Sequence, residues 1–244
     1  MRNLVVFKYS VFCYCLGLLS IPYYADFFIG SYLPKYINSE ANIGFWGAFG
    51  IDILLILVFS LQHSLMARKW FKKYITGIIP EAAERSSYVL LTVIVVFLLV
   101  HFWQPIPYTL FDLRGTPAGS IIWIVFGTGW FIGLFSTFLI NHFDLFGLNQ
   151  SWSRLRGKKP FSYSFRTPLF YKLVRHPIYT GWLIIHWANP HFTVGNLLLA
   201  IGITAYILIA IQFEEKDLND YFGDQYRQYQ KTTPKLIPSL KAGK

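Results

Sequence analysis

Charged residues are scarce in this chain of 244 residues: 14% are Asp, Glu, Lys or Arg, whereas soluble domains carry about 25%. Together with a hydrophobic fraction of 54%, this shortage excludes an ordinary soluble domain of this length. Cysteine is scarcer still, and the two cysteines present, Cys13 and Cys15, share one apolar run. They exclude a disulfide framework and a four-cysteine metal site, so no metal is expected and small apolar filler is the simplest interpretation.

The hydrophobic residues fall in runs long enough to cross a bilayer core of about 30 Å, which takes about 20 helical residues. A later stretch, 176–213, is too long for one crossing and is interrupted by Ala188-Asn189-Pro190-His191, so it predicts a hairpin. The predicted fold class is all-α: a polytopic membrane helix bundle with four full spans, this C-terminal hairpin and an amphipathic tail helix. The four full spans are predicted at residues 4–25, 45–66, 87–103 and 119–140.

The polar residues predict two regions of different purpose. Residues 1–140 carry few ionisable groups and are expected to form a transmembrane scaffold. Residues 141–244 are expected to form a cytoplasm-facing catalytic region. Its loop is long, basic and aromatic, and loops of that length are usually functional or disordered, with the aromatic content arguing against disorder. The parts of this region are loop 149–175, hairpin 176–213 and surface tail 214–244.

The basic residues lie almost entirely on one side of the predicted spans. Of 22 Lys and Arg, only Lys35 and Arg114 fall in the two loops of the opposite side. The positive-inside rule makes the basic side cytoplasmic, so both termini are predicted to lie in the cytoplasm. The net charge of +10 therefore indicates orientation and attraction to anionic membrane lipid, and it does not indicate nucleic acid binding.

The segment Arg175-His176-Pro177-Ile178-Tyr179-Thr180-Gly181 opens the hairpin. Proline suits the first turn of a helix, so a helix is predicted to begin directly after Arg175 and His176. Backbone N–H groups and the positive end of the helix dipole meet there, which predicts an anion site. Gly181 would permit the close approach of another helix or of a ligand.

Glu214 and Glu215 follow the returning leg of the hairpin. Adjacent carboxylates on a helix point about 100° apart, so at most one of them faces a given pocket squarely. The other can pair with Arg175 or face solvent. The predicted tail helix after them carries its aromatic residues on one face and could roof the site.

Four polar residues near the ends or inside the hydrophobic segments are further candidates. Asp52 is either a functional acid or a shallow structural one. His63 either bonds a neighbouring helix or faces a cytoplasmic cavity. His142 either caps a helix or lines the same cavity, and His186 lies on the first leg of the hairpin.

From Phe165 to Pro238 the chain resembles the membrane methyltransferases related to isoprenylcysteine carboxyl methyltransferase. Their signature is RHPxYxG, an apolar hairpin, EE, FGxxYxxY and a P-x-x-x-P end, present here as RHPIYTG, FEE, FGDQYRQY and PKLIP. The segments Gln62–Arg68, Glu84–Leu90 and Asn141–Leu148 resemble the bacterial methanethiol S-methyltransferase branch. A branch linked to nitric-oxide metabolism shares part of the first segment.

The resemblance implies S-adenosylmethionine as cofactor, a small thiol as methyl acceptor and a bacterial inner membrane as location. It implies that Glu214 binds the polar end of the cofactor and that backbone groups around residues 163–166 also contact the cofactor. A base or a cationic environment would help to form the acceptor thiolate, and His63, His142 and His186 are the candidates for the base. The other implied cofactor-binding residues are Tyr171, His176, Pro177 and Tyr179, to which the helix-start argument adds Arg175.

Two alternatives stay open at this point. The relatives that methylate a prenylcysteine carboxylate carry a substrate-binding arginine four residues before the glutamate, where this chain has Ala210. That departure favours a neutral or thiol acceptor, but a lipid amine or an isoprenoid carboxylate stays possible. The chain could instead be a non-catalytic membrane subunit of respiratory or nitrogen-oxide metabolism. Oligomeric state is left open.

Overall fold

The computed structural model describes residues 2–158 and 164–238. Within these residues the fold is helical apart from one two-stranded sheet, formed by β1 (Thr109–Asp112) and β2 (His191–Thr193). The helices in chain order are α1 (Arg2–Ile29), α2 (Phe45–Met66), α3 (Lys69–Thr76), α4 (Glu81–Phe102), α5 (Pro117–Ile140), α6 (His142–Leu145), α7 (Leu148–Leu155), α8 (Phe170–Leu173), α9 (Pro177–Trp187), α10 (Val194–Phe222) and α11 (Asp224–Thr232).

Five of the described helices are long and apolar enough to cross a membrane: α1, α2, α4, α5 and α10. The predicted all-α polytopic membrane fold is therefore confirmed. The first four match the predicted spans. The fifth is the returning leg of the predicted hairpin, and at 29 residues it is far longer than the 11 residues of the first leg, α9.

The helix bounds differ from the prediction mainly where polar residues continue an apolar run. Helix α4 begins at Glu81, six residues before the predicted start at 87. Pro80 precedes it, and Glu81 and Glu84 occupy its first turn, where carboxylates interact favourably with the positive end of the helix dipole. Helix α10 likewise continues through the acid pair to Phe222, so the glutamates lie inside a helix and not at its end.

The chain forms two compact units, and the predicted division at residue 140 into scaffold and catalytic region stays a prediction. The first unit comprises Met1–Thr109, His142–Ser162 and Thr193–Gly195. In it α4 packs against α1, α2 and α7. Polar groups join its helices: the Ser86 hydroxyl donates to the Ser10 hydroxyl at 2.8 Å.

Asp52 has a structural partner within the first unit. Its side chain is fully buried in α2, and Oδ1 accepts the backbone N–H of Gln104 at 2.8 Å, two residues beyond the end of α4. This bond ties the end of α4 to α2, as expected of a structural aspartate.

The second unit comprises Leu110–Asn141, Tyr163–Phe192 and Asn196–Lys244, and its helices α5 and α9 are in close contact. A Cβ atom on Gly181 would lie 2.5 Å from the backbone nitrogen of Gly133 and 2.6 Å from the carbonyl oxygen of Gly129. Glycine is therefore required at Gly181 because the backbone of another helix approaches it. Of the two predicted reasons for this residue, close helix approach is the one observed.

The interruption predicted at Ala188-Asn189-Pro190-His191 is where α9 ends, at Trp187. The chain then forms β2, which pairs with β1. Leu113 N–H donates to the Pro190 carbonyl at 2.8 Å, and the rings of Phe111 and Phe192 stack with centroids 5.3 Å apart. The strands were not predicted.

Candidate active site

The turn that opens α9 is built as the sequence predicts. His176 occupies the N-cap position and Pro177 the first turn of the helix. Proline is favourable there because its missing N–H would have no partner inside the helix and its ring fixes a helical φ. The turn therefore places Arg175 and His176 at the start of α9, with Tyr179 in its first turn.

The two adjacent acids of α10 have different surroundings. The Glu215 side chain is 10% exposed and the Glu214 side chain 42% exposed. Glu215 faces the turn that opens α9. Neighbouring side chains on a helix point about 100° apart, so Glu214 cannot face the same turn squarely. Of the two acids, Glu214 is therefore the one that a ligand in solution can reach.

Arg175 pairs with Glu215, one of the two arrangements expected for the acid pair. Its Nε and Nη2 atoms each lie 2.7 Å from Glu215 Oε1. Nη1 donates to the carbonyl oxygen of Gln230 at 3.1 Å and to that of Thr233. The guanidinium is thus buried among acceptors of the protein itself, which is the condition under which a buried ion pair is tolerated.

His176 lies between the two acids. Its Nε2 atom is 3.1 Å from Glu215 Oε1, and its Nδ1 atom is 3.8 Å from Glu214 Oε1. A carboxylate only accepts hydrogen bonds, so the Nε2–H group donates to Glu215. The imidazole side chain is 3% exposed, and its ring tilts against the ring of Tyr179 with centroids 5.8 Å apart. Glu215 therefore fixes the orientation of His176.

The C-terminal tail contacts this turn through the segment that follows α11, whereas a roof formed by the tail helix itself stays a prediction. Arg175 N–H donates to the Pro234 carbonyl at 2.9 Å and His176 N–H to the Lys235 carbonyl at 3.1 Å. These two N–H groups are therefore bonded to the tail and are not available to the anion that the sequence analysis placed before the helix.

Tyr171 lies in α8, and its carbonyl oxygen accepts the hydroxyl of Tyr229 from α11. Burial, and then the carboxylate of Glu214 and the neighbouring Tyr229, hold the pKa of the Tyr171 phenol well above its usual range. The phenol thus stays protonated and lies within electrostatic reach of Glu214. The structure therefore brings Tyr171, His176, Tyr179 and Glu214 into one region of the second unit.

The aromatic residues predicted on one face of the tail pack against Phe165, a contact that was not predicted. The ring of Phe165 is 5.4 Å from that of Phe222, 5.5 Å from that of Tyr229 and 6.2 Å from that of Tyr226. An open cavity of about 560 Å³ adjoins these rings, and it is lined by Ser164, Phe165, Tyr221, Phe222 and Gln225. Of the predicted backbone segment 163–166, residue 163 lies outside the described residues.

The three candidate histidines each contact the protein itself. In α2, His63 Nδ1 is 3.3 Å from the hydroxyl of Thr92 in α4, so this side chain bonds a neighbouring helix. His142 is 3% exposed, and its Nε2 is 3.0 Å from the Tyr14 hydroxyl. Burial lowers the pKa of His142, which favours its neutral form. Both belong to the first unit.

His186 belongs to the second unit and is 2% exposed in α9. Its Nδ1–H group donates to the carbonyl oxygen of Trp182, one turn earlier, at 2.7 Å. A carbonyl can only accept, so the proton of this bond lies on Nδ1. The ring of Trp182 packs in turn against Trp130 of α5 at 5.5 Å.

Comparison with known proteins gives relatives over nearly the whole chain. A protein named methanethiol S-methyltransferase from Crocosphaera subtropica is 43% identical over 235 residues, which cover 96% of this chain and 92% of that protein. One of the same name from Mycobacterium tuberculosis is 40% identical over 239 residues, covering 98% of each. Nurim from Xenopus laevis is 34% identical over 190 residues, covering 73% of this chain and 66% of that protein. No protein-family model and no solved structure matches the chain.

Proposed function

The chain belongs to the methanethiol S-methyltransferase family, and from this premise we propose that it transfers a methyl group from S-adenosylmethionine to methanethiol, forming dimethyl sulfide. The observation that carries the proposal is an identity of 40–44% to proteins of that name, extending over 86% or more of the chain. The arrangement around the acid pair supports it, because it leaves one accessible carboxylate beside histidine and tyrosine side chains.

The residues present suit S-adenosylmethionine, which is zwitterionic at its amino-acid end and cationic at sulfur. Glu214 is accessible and would accept hydrogen bonds from the ammonium group. The aromatic faces of Tyr171 and Tyr179 would attract the sulfonium. When bound, the cofactor supplies a methyl group activated by the positive sulfur. Pro177 and His176 would shape the wall of the site.

Arg175 has a different role in this proposal. Because its guanidinium is buried and bonded to Glu215 and to two tail carbonyls, we assign it to positioning and not to cofactor contact. It holds Glu215, and Glu215 holds His176. The contribution of Arg175 to binding is therefore indirect, through the orientation of the histidine.

The acceptor is proposed to be a small neutral thiol. Ala210 is 8% exposed and lies one turn before Glu214 in α10, so the helix offers a methyl group and no cation at this position. An apolar side chain there suits an acceptor without a carboxylate. Methanethiol is a weaker acid than a cysteine thiol, whose pKa is about 8.5. A base or a cationic surrounding would therefore assist its deprotonation. His63, His142 and His186 stay the candidates for that base.

We further propose that the site faces the cytoplasm of a bacterial inner membrane, with both termini inside. The asymmetric placement of Lys and Arg in the sequence supports this orientation. To test this orientation, single cysteines are placed in the loop before α5 and in the tail. Intact cells are then treated with a membrane-impermeant maleimide, and labelling of each cysteine is measured. Only the loop before α5 is expected to react.

Purified protein in nanodiscs, supplied with S-adenosylmethionine and methanethiol, is expected to release dimethyl sulfide, measured by gas chromatography of the headspace. Glu214→Ala should abolish this product. The matched control is Asp224→Ala, which removes a tail carboxylate whose side chain is 95% exposed. Methylation of a lipid amine or of a prenylated carboxylate, with no volatile product, would contradict the proposal and identify the acceptor class.

A further inference from the structure

The hydroxyl of Tyr226 is buried without a hydrogen-bond partner. The residue is 3% exposed, in the first turn of α11, and its hydroxyl meets no donor or acceptor among residues 2–158 and 164–238. A buried hydroxyl without a partner loses its bonds to water and gains none in return. Such a group in a folded protein requires an explanation, and a role in binding or catalysis is one of the few available.

Tyr229, three residues later on the same helix, provides the contrast. Its hydroxyl donates to the Tyr171 carbonyl and lies 3.4 Å from the Val174 carbonyl. The two rings are neighbours, with centroids 5.8 Å apart. Tyr229 thus joins α11 to α8, whereas the hydroxyl of Tyr226 is not used in any bond to the described residues.

The charges around Tyr226 are those of the acid pair and, with a smaller and opposite effect on the pKa of its phenol, that of Arg175. Burial raises the pKa of its phenol above the usual range, and the carboxylates of Glu215 and Glu214 raise it further. The hydroxyl therefore keeps its proton and is available as a donor. Glu215 is already bonded to Arg175, His176 and the side-chain amide of Gln230, at 2.7, 3.1 and 3.1 Å. Glu214 has no such set of partners among the described residues.

We propose that the Tyr226 hydroxyl donates a hydrogen bond to the carboxylate of bound S-adenosylmethionine, an inference that rests on the proposed function. The ammonium and carboxylate groups of this cofactor share one carbon atom. When the ammonium group binds Glu214, the carboxylate of the cofactor must therefore lie nearby, and it needs a hydrogen-bond donor there. The guanidinium of Arg175 does not serve, because it is already bonded within the protein. Tyr226 supplies a neutral donor near the acids, and its burial strengthens the bond.

The test compares Tyr226→Phe with Tyr229→Phe in nanodiscs, using S-adenosylhomocysteine as the probe in calorimetry. Tyr226→Phe is expected to raise the Kd about 10-fold or more, as for a lost hydrogen bond to a charged group. Its unfolding temperature without ligand should be unchanged or higher, because no protein bond is lost. Tyr229→Phe should instead lower the unfolding temperature, because the Tyr171 carbonyl loses its donor.

Decarboxylated S-adenosylmethionine identifies the partner atom. The Tyr226→Phe variant is expected to bind this analogue as tightly as the wild type does. An equal loss of affinity for both probes, or a wild-type Kd for S-adenosylhomocysteine, would overturn the inference. Failure of the proposed function is a separate result, because it would appear as a wild-type protein that binds neither probe.

Discussion

The two compact units use their buried polar residues in different ways. In the first unit they bind neighbouring helices or the backbone of an adjacent loop: Ser86 bonds Ser10, Asp52 bonds the backbone of Gln104, and Asp26 accepts the backbone N–H groups of the loop that follows α1. In the second unit, groups from the turn that opens α9 and from α11 converge on Glu215, and the acid next to it is left accessible. Isolated bonds stabilise helix packing. A network that orients side chains beside one accessible acid has the organisation of a binding site.

The largest effect is expected where the network of the second unit is broken. Arg175→Ala removes the partner of a buried carboxylate and the donor to two carbonyls. Loss of one partner of a buried ion pair costs about 3–5 kcal/mol. The free energy of unfolding, from denaturant titration in bicelles, should fall by that order.

Arg227→Ala is the matched control for this change. Arg227 forms an ion pair with Asp224 at 3.1 Å in the same tail, but its side chain is 65% exposed. Exposed pairs contribute little to stability, so this variant should unfold as the wild type does. If the two variants were destabilised equally, the buried network around Glu215 would contribute no more to stability than an exposed ion pair, and the comparison would fail.

An intermediate effect is expected at the contact of α5 with α9. Gly181→Ala would place a methyl group 2.5 Å from the backbone nitrogen of Gly133, so the two helices must move apart. Overpacking of this kind costs about 1–3 kcal/mol. Gly127→Ala in α5, where an added Cβ meets nothing within 4 Å, is the control and should not lower the unfolding temperature. An unchanged unfolding temperature for Gly181→Ala would contradict the packing described.

The smallest effect is expected in the first unit, at Asp52. Asparagine keeps the oxygen that accepts the N–H of Gln104, so Asp52→Asn should retain both stability and methyl transfer. Headspace dimethyl sulfide and the unfolding temperature measure the two. A loss of product at unchanged stability would show that the carboxylate acts in the reaction, and the contrast between the units would fail.

Local chemistry was readable from the sequence. The spans follow from apolar run length, the start of α9 from Pro177, and the break after Trp187 from the Asn189-Pro190 pair. The angle between adjacent helical side chains predicted that the two acids would have different surroundings, and pairing with Arg175 was one of the two alternatives for the second acid. These features depend on residues that are close to one another in the chain, or on the attraction between oppositely charged side chains.

Other parts of the site were not readable from the sequence. The carbonyl oxygens of Gln230 and Thr233 bind Arg175 from 55 and 58 residues away. Every residue has a carbonyl group, so no pattern of side chains marks these two. The same holds for the tail carbonyls that bind the N–H groups of Arg175 and His176, and for the pairing of β1 with β2.

The central claim is that the two adjacent acids have separate tasks, cofactor binding for Glu214 and orientation of the turn for Glu215. The direct measurement is the Kd for S-adenosylhomocysteine, paired with the unfolding temperature without ligand, in Glu214→Gln and Glu215→Gln. Glu214→Gln is expected to raise the Kd about 10-fold or more and to leave the unfolding temperature unchanged. Glu215→Gln should lower the unfolding temperature. A Glu214→Gln protein with wild-type affinity would contradict the account.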